Sequence, residues 1–223
     1  MPRIVAIVPM RHDSERVRGK NYRSFGGRPL FHHIVSALLA CPAISETVID
    51  TDSPIIVEDA HRAFPGVRLI ERPGTLRGGT VPMNEVLLND VAQVDADFYL
   101  QSHSTNPLLR SETIDAALAA FLSSLPSHDS LFSVTRLQTR LWTADGRALN
   151  HDPRVLLRTQ DLPPVFEENS CLYLFSRASL ELHGNRIGDR PLMYELPREE
   201  AWDIDEEIDW TVAEALYLRR AAS

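Results

Sequence analysis

A single lysine stands among the 223 residues, against 22 arginines. There are only two cysteines, Cys41 and Cys171, with no spacing that would hold zinc. They read as reduced, buried thiols, which suits a cytoplasmic protein. No apolar run reaches the roughly 18 residues that a membrane-spanning helix needs. The opening stretch, MPRIVAIVPMRHDSER, is apolar only briefly before its charges begin, so it reads as a buried strand and not as a secretion signal. Two glycine motifs are also missing. Without G-x-G-x-x-G after the first strand the chain is not expected to be a nicotinamide dehydrogenase, and without G-x-x-x-x-G-K-[ST] it is not a P-loop ATPase. A net charge of −8 argues against the binding of long nucleic acid, which needs a basic face.

What is present is an ordinary globular composition, 43% hydrophobic and 24% charged, long enough for one elaborated domain, 1–223. Its charge is unevenly placed. Residues 1–30 hold seven cationic side chains against Asp13 and Glu15, a net of +5. Residues 199–214 hold eight carboxylates and no cation. This pairing suits a phosphate site facing a metal site, or two solvated patches. The lysine, Lys20, lies in the most cationic loop. Arginine replaces lysine wherever a solvated charge suffices, but not where a compact ammonium must meet phosphate oxygens at one point. Lys20 is therefore read as functional.

The patterning alternates between strand and helix. Residues 3–9 (RIVAIVP) form a β-branched run of the central parallel-strand kind. Helical spacing covers 29–40, and 46–52 reads as a strand. A helix over 53–64 has Ser53 as its cap and Pro54 in its first turn. A strand at 67–71, a helix at 81–94, a strand at 97–101, a helix at 111–123 and a strand at 130–135 follow. Strand character returns at 168–176, then a helix at 177–183, a strand at 192–196 and a long helix at 205–220. The alternation predicts an α/β fold, a Rossmann-like and mostly parallel sheet with helices on both faces. Between 140 and 166 the rhythm breaks into turns and short extended pieces that carry Trp142, Leu156, Leu157, Val165 and Phe166, read as a protruding arm.

Ligands of such sheets bind beyond the carboxyl ends of the strands. The loop there from Pro9 to Asn21 is rich in cations and suits a wrapped triphosphate. At the other end Asp203 and Asp205 alternate across Ile204, so an extended chain sends both to one face. They can make a magnesium site completed by phosphate and water, or Asp205 can cap the last helix.

The first loop reads P-x-R-x-x-S-x-R-x-x-G-K after its strand. It resembles the sugar-nucleotide-forming cytidylyltransferases, the CMP-sialic acid (acylneuraminate) synthetases and their CMP-KDO relatives. The sialic-acid pattern is A-R-x-G-S-K-x-I-P-x-K-N. Arg11, Ser14, Lys20 and Asn21 match it in spacing, while Asp13, Glu15 and Arg18 stand for a glycine, a lysine and a proline. Arg16 takes the arginine position of the KDO-type pattern. Glu71-Arg-Pro73 resembles the family's R-P-x-x-L loop, which makes Arg72 a nucleotide contact. The segment 100–108 resembles L-Q-P-T-S-P-L-R, with Gln101 matching. An aspartate that the KDO branch places nearby is absent, since Ser102 and His103 stand there, which favours the sialic-acid-like branch. Residues 168–173 resemble N-G-x-x-Y, with Asn169 and Tyr173 toward the sugar and Ser170 in place of glycine.

The resemblance implies a fold of the nucleotide-diphospho-sugar transferase type, with the arm serving dimerisation. It implies transfer of CMP from CTP to a 2-keto sugar acid, with Mg2+ on Asp203 and Asp205. It also implies a homodimer. Arg11, Lys20, Asp203 and Asp205 would act in catalysis. Arg11, Ser14, Arg16, Lys20, Asn21 and Arg72 would bind nucleotide, and Gln101, Asn169 and Tyr173 would bind the acceptor. The remaining alternatives are another acceptor, such as a sugar phosphate, or a nucleotide-binding relative without catalysis.

Overall fold

The computed structural model describes residues 2–222. The first strand, β1 (Ile4–Met10), is buried at every residue. Strand geometry sends alternate side chains to opposite faces, and helices cover both. Ile4, Ala6, Val8 and Met10 join one apolar layer, and Val5 and Ile7 the other. A short hairpin, β2 (Ser24–Phe25) and β3 (Arg28–Pro29), follows the cationic loop and leads into α1 (Leu30–Leu39). Next come β4 (Glu46–Thr51), α2 (Pro54–Ala63), β5 (Arg68–Glu71), α3 (Met83–Val91), β6 (Phe98–Ser102) and α4 (Ser111–Ser124). The last third holds β7 (Ser130–Leu137), β8 (Val165–Phe175), α5 (Arg177–His183), β9 (Pro191–Glu195) and α6 (Glu207–Ala221).

Seven strands form one sheet in the order β5-β4-β1-β6-β8-β7-β9. All run parallel except β8, which is antiparallel to both its neighbours. Helices α1, α2 and α4 pack on one face, and α3 and α5 on the other. A third, smaller cluster joins Phe25 and Leu30 to Ile204, Trp210 and Ala213 of the C-terminal segment. It ties α6 to the hairpin beside the cationic loop. The chain reverses its direction of travel across the sheet at β1, so a crevice opens between the ends of β1 and β6.

The expected α/β architecture is present, and Ser53 caps α2 by accepting from the Ile56 N–H, with Pro54 in the first turn. Three details differ from the sequence reading. The hairpin β2–β3 is too short for any periodic signal. Strand β8 begins at Val165, so Val165 and Phe166 belong to the sheet and the irregular arm ends before them. Finally, Glu206 and not Asp205 stands at the N-cap of α6, and Asp209 accepts from the N–H groups of Asp205 and Glu206 at 3.1 and 2.8 Å. Among the described residues, no helix is long and apolar enough to cross a membrane.

Candidate active site

The loop after β1 is shaped by two local facts. Gly19 sits at φ +61°, and a side chain there would meet the Tyr22 ring at 2.7 Å, so only glycine fits the turn that presents Lys20. Asn21, buried, then fastens the loop: its Nδ2 donates to the Arg11 carbonyl at 2.8 Å and its Oδ1 accepts from Ser104 Oγ at 2.7 Å. Arg11, Ser14, Arg16, Lys20 and Asn21 all line one cavity of about 410 Å³, together with Arg72, Gly78, Gly79, Met83 and His103. The fit is close at Gly79, where an added Cβ would lie 3.2 Å from Arg11 Nη1 and from Glu15 Oε1.

Lys20 is largely buried. Its Nζ donates to the Ile204 carbonyl at 2.5 Å and lies 3.7 Å from Asp205 Oδ1. Burial lowers its pKa, while Asp203 and Asp205 pull it back up. The two aspartates therefore share one face, as their alternation requires. They differ in setting. Asp205 is half exposed and accepts from Arg16 Nη2 at 2.6 Å, a solvated pair of little stabilising value. Asp203 is more enclosed, and burial, with Asp205 nearby, pushes its pKa up against the hydrogen bond from Thr105. Its Oδ1 is buried without a hydrogen-bond partner. Among the described residues no group of three His, Cys, Asp or Glu side chains forms a metal cage.

Asp203 and Asp205 also line a second cavity of about 460 Å³, together with Glu168, Asn169, Ser170 and Arg198. This cavity owes its shape to a bulge: Phe132 pairs with Tyr173 but Val134 with Glu168, so β8 carries three residues more than β7 between those pairs. The bulge places Ser170 at φ +59°, the left-handed region, where a glycine would sit without strain. Asn169 accepts from Ser133 Oγ at 2.5 Å and donates to Thr135 Oγ1 at 3.1 Å. Tyr173 is buried, its hydroxyl donating to Glu168, and its pKa is pushed up to about 12, mainly by burial.

Two candidate residues are engaged with partners that the sequence did not suggest. Arg72, 2% exposed, donates from Nε to Asp50 Oδ2 at 2.8 Å, with Nη2 2.6 Å from the same oxygen. Behind it Asp90 is fully buried and its pKa is raised to about 8, by burial first and by Asp50 second. Gln101 is also fully buried: Oε1 accepts from Arg186 Nη1, and Nε2 donates to His103 Nε2 at 2.6 Å. Burial, with Arg186 and Lys20 nearby, drives the His103 pKa down to about 3, so the imidazole is neutral. Arg186 lies over the Tyr173 ring, 3.5 Å from its centroid. Neither Asp50, Asp90 nor Arg186 sits in a motif. Their signal was burial of charge, which only the folded chain reveals.

The arrangement offers a cationic cavity lined by Lys20 and a polar cavity lined by Asp203 and Asp205, with Lys20 Nζ 3.7 Å from Asp205 Oδ1 linking the two. Comparison with known proteins agrees. The family model described as cytidylyltransferase matches residues 5–210. The chain is 26% identical over 226 residues to CMP-N,N'-diacetyllegionaminic acid synthase of Legionella pneumophila, covering 96% of each. It is 25% identical over 224 residues to N-acylneuraminate cytidylyltransferase A of Danio rerio, spanning 97% of this chain and 51% of that protein. Its fold matches the structure of CMP:2-keto-3-deoxy-manno-octonic acid synthetase complexed with CTP, with TM-score 0.71, 18% identity and coverage of 98% and 99%.

Proposed function

This chain belongs to the cytidylyltransferase family, and on that premise we propose that it transfers CMP from CTP to the anomeric hydroxyl of a sialic-acid-like 2-keto sugar acid, releasing pyrophosphate. The relatives' names support CTP and a sugar acid as the substrate pair. The observation that carries the reading is the junction of the two cavities at Lys20, Asp203 and Asp205. A donor and an acceptor bound side by side would meet there.

In this reading the triphosphate lies in the first cavity, against Arg11, Ser14, Arg16 and Lys20. Asn21 holds the loop in its binding shape, and Arg72, fixed by Asp50, faces the nucleoside. The acceptor fills the second cavity near Asn169, with Tyr173 and Gln101 forming its buried wall. The anomeric oxygen attacks the α-phosphorus, an O–P bond forms, the bond to pyrophosphate breaks and the hydroxyl gives up its proton. Such a reaction depends on positioning and charge neutralisation more than on covalent chemistry. Lys20 supplies a point charge where the phosphate oxygens gain charge.

Asp203 and Asp205 are the residues that would hold Mg2+. The orphaned Oδ1 of Asp203 and the solvent-facing carboxylate of Asp205 fit a hard cation that takes its other ligands from phosphate and water. When bound, the ion supplies charge neutralisation between the reacting phosphate and the leaving group. The arm, with Leu156 at 89% and Trp142 at 53% exposure, supports a homodimer in which a second copy covers it.

The test is pyrophosphate release with CTP and magnesium across a panel of 2-keto sugar acids. Release with one or more of them is expected. Release only with a sugar phosphate or alcohol phosphate would reassign the acceptor, and CTP binding without any release would make the chain a non-catalytic relative.

A further inference from the structure

We propose that Asp90 is a positioning residue of the nucleotide cavity: carrying a proton, it leaves Asp50 alone to hold Arg72, and binding of the anionic nucleotide draws that proton onto the chain. The proposal rests on the reading above in which CTP fills the first cavity, and adds to it the group that keeps Arg72 available there.

Strand β4 turns Val48 toward the apolar layer that α3 covers, and alternation sends Asp50 to the same face. Leu87 and Val91 of α3 belong to that layer, and Asp90 lies between them in sequence. Val86, one helical turn before Asp90, lines the first cavity with Met83. Arg72 lines the same cavity from the loop after β5. Its backbone is pinned on both sides: its N–H donates to the Thr51 carbonyl at 3.0 Å, and its carbonyl accepts from Arg77 Nε at 2.8 Å. Helix α3 therefore meets the cavity with one turn and the buried carboxylates with the next.

Three ionisable side chains gather where water does not reach. Asp50 and Asp90 are fully buried and Arg72 nearly so. Asp50 Oδ2 accepts from Arg72 Nε at 2.8 Å, while Nη2 lies 2.6 Å from the same oxygen without making a second hydrogen bond. Arg72 Nη2, Asp50 Oδ1 and Asp90 Oδ2 are all buried with no hydrogen-bond partner among the described residues. The other oxygen of Asp90 accepts only from its neighbour Asn89, at 3.2 Å.

A charge count assigns the proton. A guanidinium stays charged, so Arg72 neutralises one carboxylate of the two. A second buried carboxylate with no cation of its own is far costlier than the neutral acid. Asp50 is the one in contact with Arg72, so Asp90 takes the proton, in keeping with its pKa of about 8. Burial pushes Asp50 up as well, but the hydrogen bond and charge of Arg72 oppose it there. Besides Arg72, the charged group facing the pair is Asp52, at the end of β4, which acts on Asp50. Helix α5 also packs on α3, and none of its ionisable side chains acts on Asp90. With Asp90 protonated the trio is neutral, and Arg72 has a single carboxylate behind it. Ionised, Asp90 makes the trio net negative and draws on Arg72 from the side away from the cavity. An anionic nucleotide therefore favours the protonated acid, and by reciprocity the protonated acid favours the nucleotide. Binding is strongest below about pH 8 and weakens as pH rises through it.

The experiment is calorimetric titration of the full chain with CTP and magnesium, without acceptor, in buffers of different ionisation heat. The last phosphate pKa is about 6, so protons bound near pH 8.5 go to the protein and not to the nucleotide. With the occupied chain holding the Asp90 proton about tenfold more tightly, the unaltered protein takes up about half a proton per CTP near pH 8.5. It then binds CTP about fivefold more weakly at pH 9 than at pH 7. Asp90→Asn should take up no proton and bind alike at the two pH values. Asp50→Asn leaves Asp90 as the only carboxylate for Arg72, and should move the pH dependence below pH 7. Absence of uptake in the unaltered protein would overturn the proposal, whether or not the variants fold. So would an uptake that persists undiminished in Asp90→Asn, as titration of Lys20 would give. CTP that binds with an uptake lost in Asp90→Asn, yet yields no pyrophosphate with any acceptor, would overturn the transfer reading and uphold Asp90.

Discussion

Lys20 illustrates how much a composition bias can expose. With 22 arginines in the chain, a lone lysine singles out one position as a candidate for a role that a guanidinium would not fill. In the folded chain it is largely buried, bonded to the Ile204 carbonyl and flanked by two aspartates. Lys20→Ala is expected to reduce turnover about 10²–10³-fold, the cost of one lost electrostatic contact to a transition state. Lys20→Arg should restore only part of it, and steady-state rates for the two variants check both. Ser170 gives a second, independent expectation. Its left-handed backbone costs about 1 kcal/mol for a residue with a Cβ. Ser170→Gly should raise the melting temperature, and a fall would mean that its 3.2 Å contact with the Tyr173 hydroxyl outweighs the strain. Arg11, Ser14, Lys20, Asp203 and Asp205 were legible because motif spacing and charge placement mark them in the linear chain. Arg186 and Asp90 were not, because an arginine in a loop or an aspartate on a helix carries no mark until the fold buries it.

At the scale of elements, the site is built by one loop, one bulge and one cap. The bulge in β8 was invisible to periodicity, since a strand of alternating residues and a strand with three extra ones look alike in sequence. The cap of α6 was legible to within a residue, and the shift from Asp205 to Glu206 matters: it leaves the Asp205 carboxylate facing Arg16 and not the helix. Asp203→Asn and Asp205→Asn are accordingly expected to raise the magnesium concentration for half-maximal rate at least about tenfold, with little change in melting. A loss of stability without a change in magnesium dependence would return Asp205 to a structural role. Helix α3 contributes a pH effect through Asp90. Its pKa rises from an ordinary 3.8 to about 8 on folding, so the folded chain holds the proton that the unfolded chain releases. The stabilising contribution is complete below 3.8, declines above it and is lost as pH passes about 8. Asp90→Asn, which mimics the protonated acid, should flatten the stability curve between pH 4 and 8. Melting curves across that range check it, and an unchanged slope would show that Asp90 does not hold the proton.

For the whole molecule, alternation of strand and helix was enough to give the parallel sheet, because a β1 buried on both faces must be apolar at every position. The antiparallel β8 was not legible, because strand direction depends on which neighbour the chain returns to after the arm. The arm itself leaves apolar surface at Trp142, Leu156 and Leu157 that its own sheet does not cover. Sedimentation at micromolar concentration is expected to find a dimer, and a clean monomer of 25.1 kDa would refute it. The central claim is that the two cavities bind donor and acceptor for one phosphoryl transfer at their junction. Phosphorus NMR of CTP, magnesium and the 2-keto sugar acids tests it most directly. CTP signals should give way to a CMP-sugar phosphodiester and pyrophosphate in equal amounts. CTP that binds but persists unchanged with every 2-keto sugar acid would contradict it.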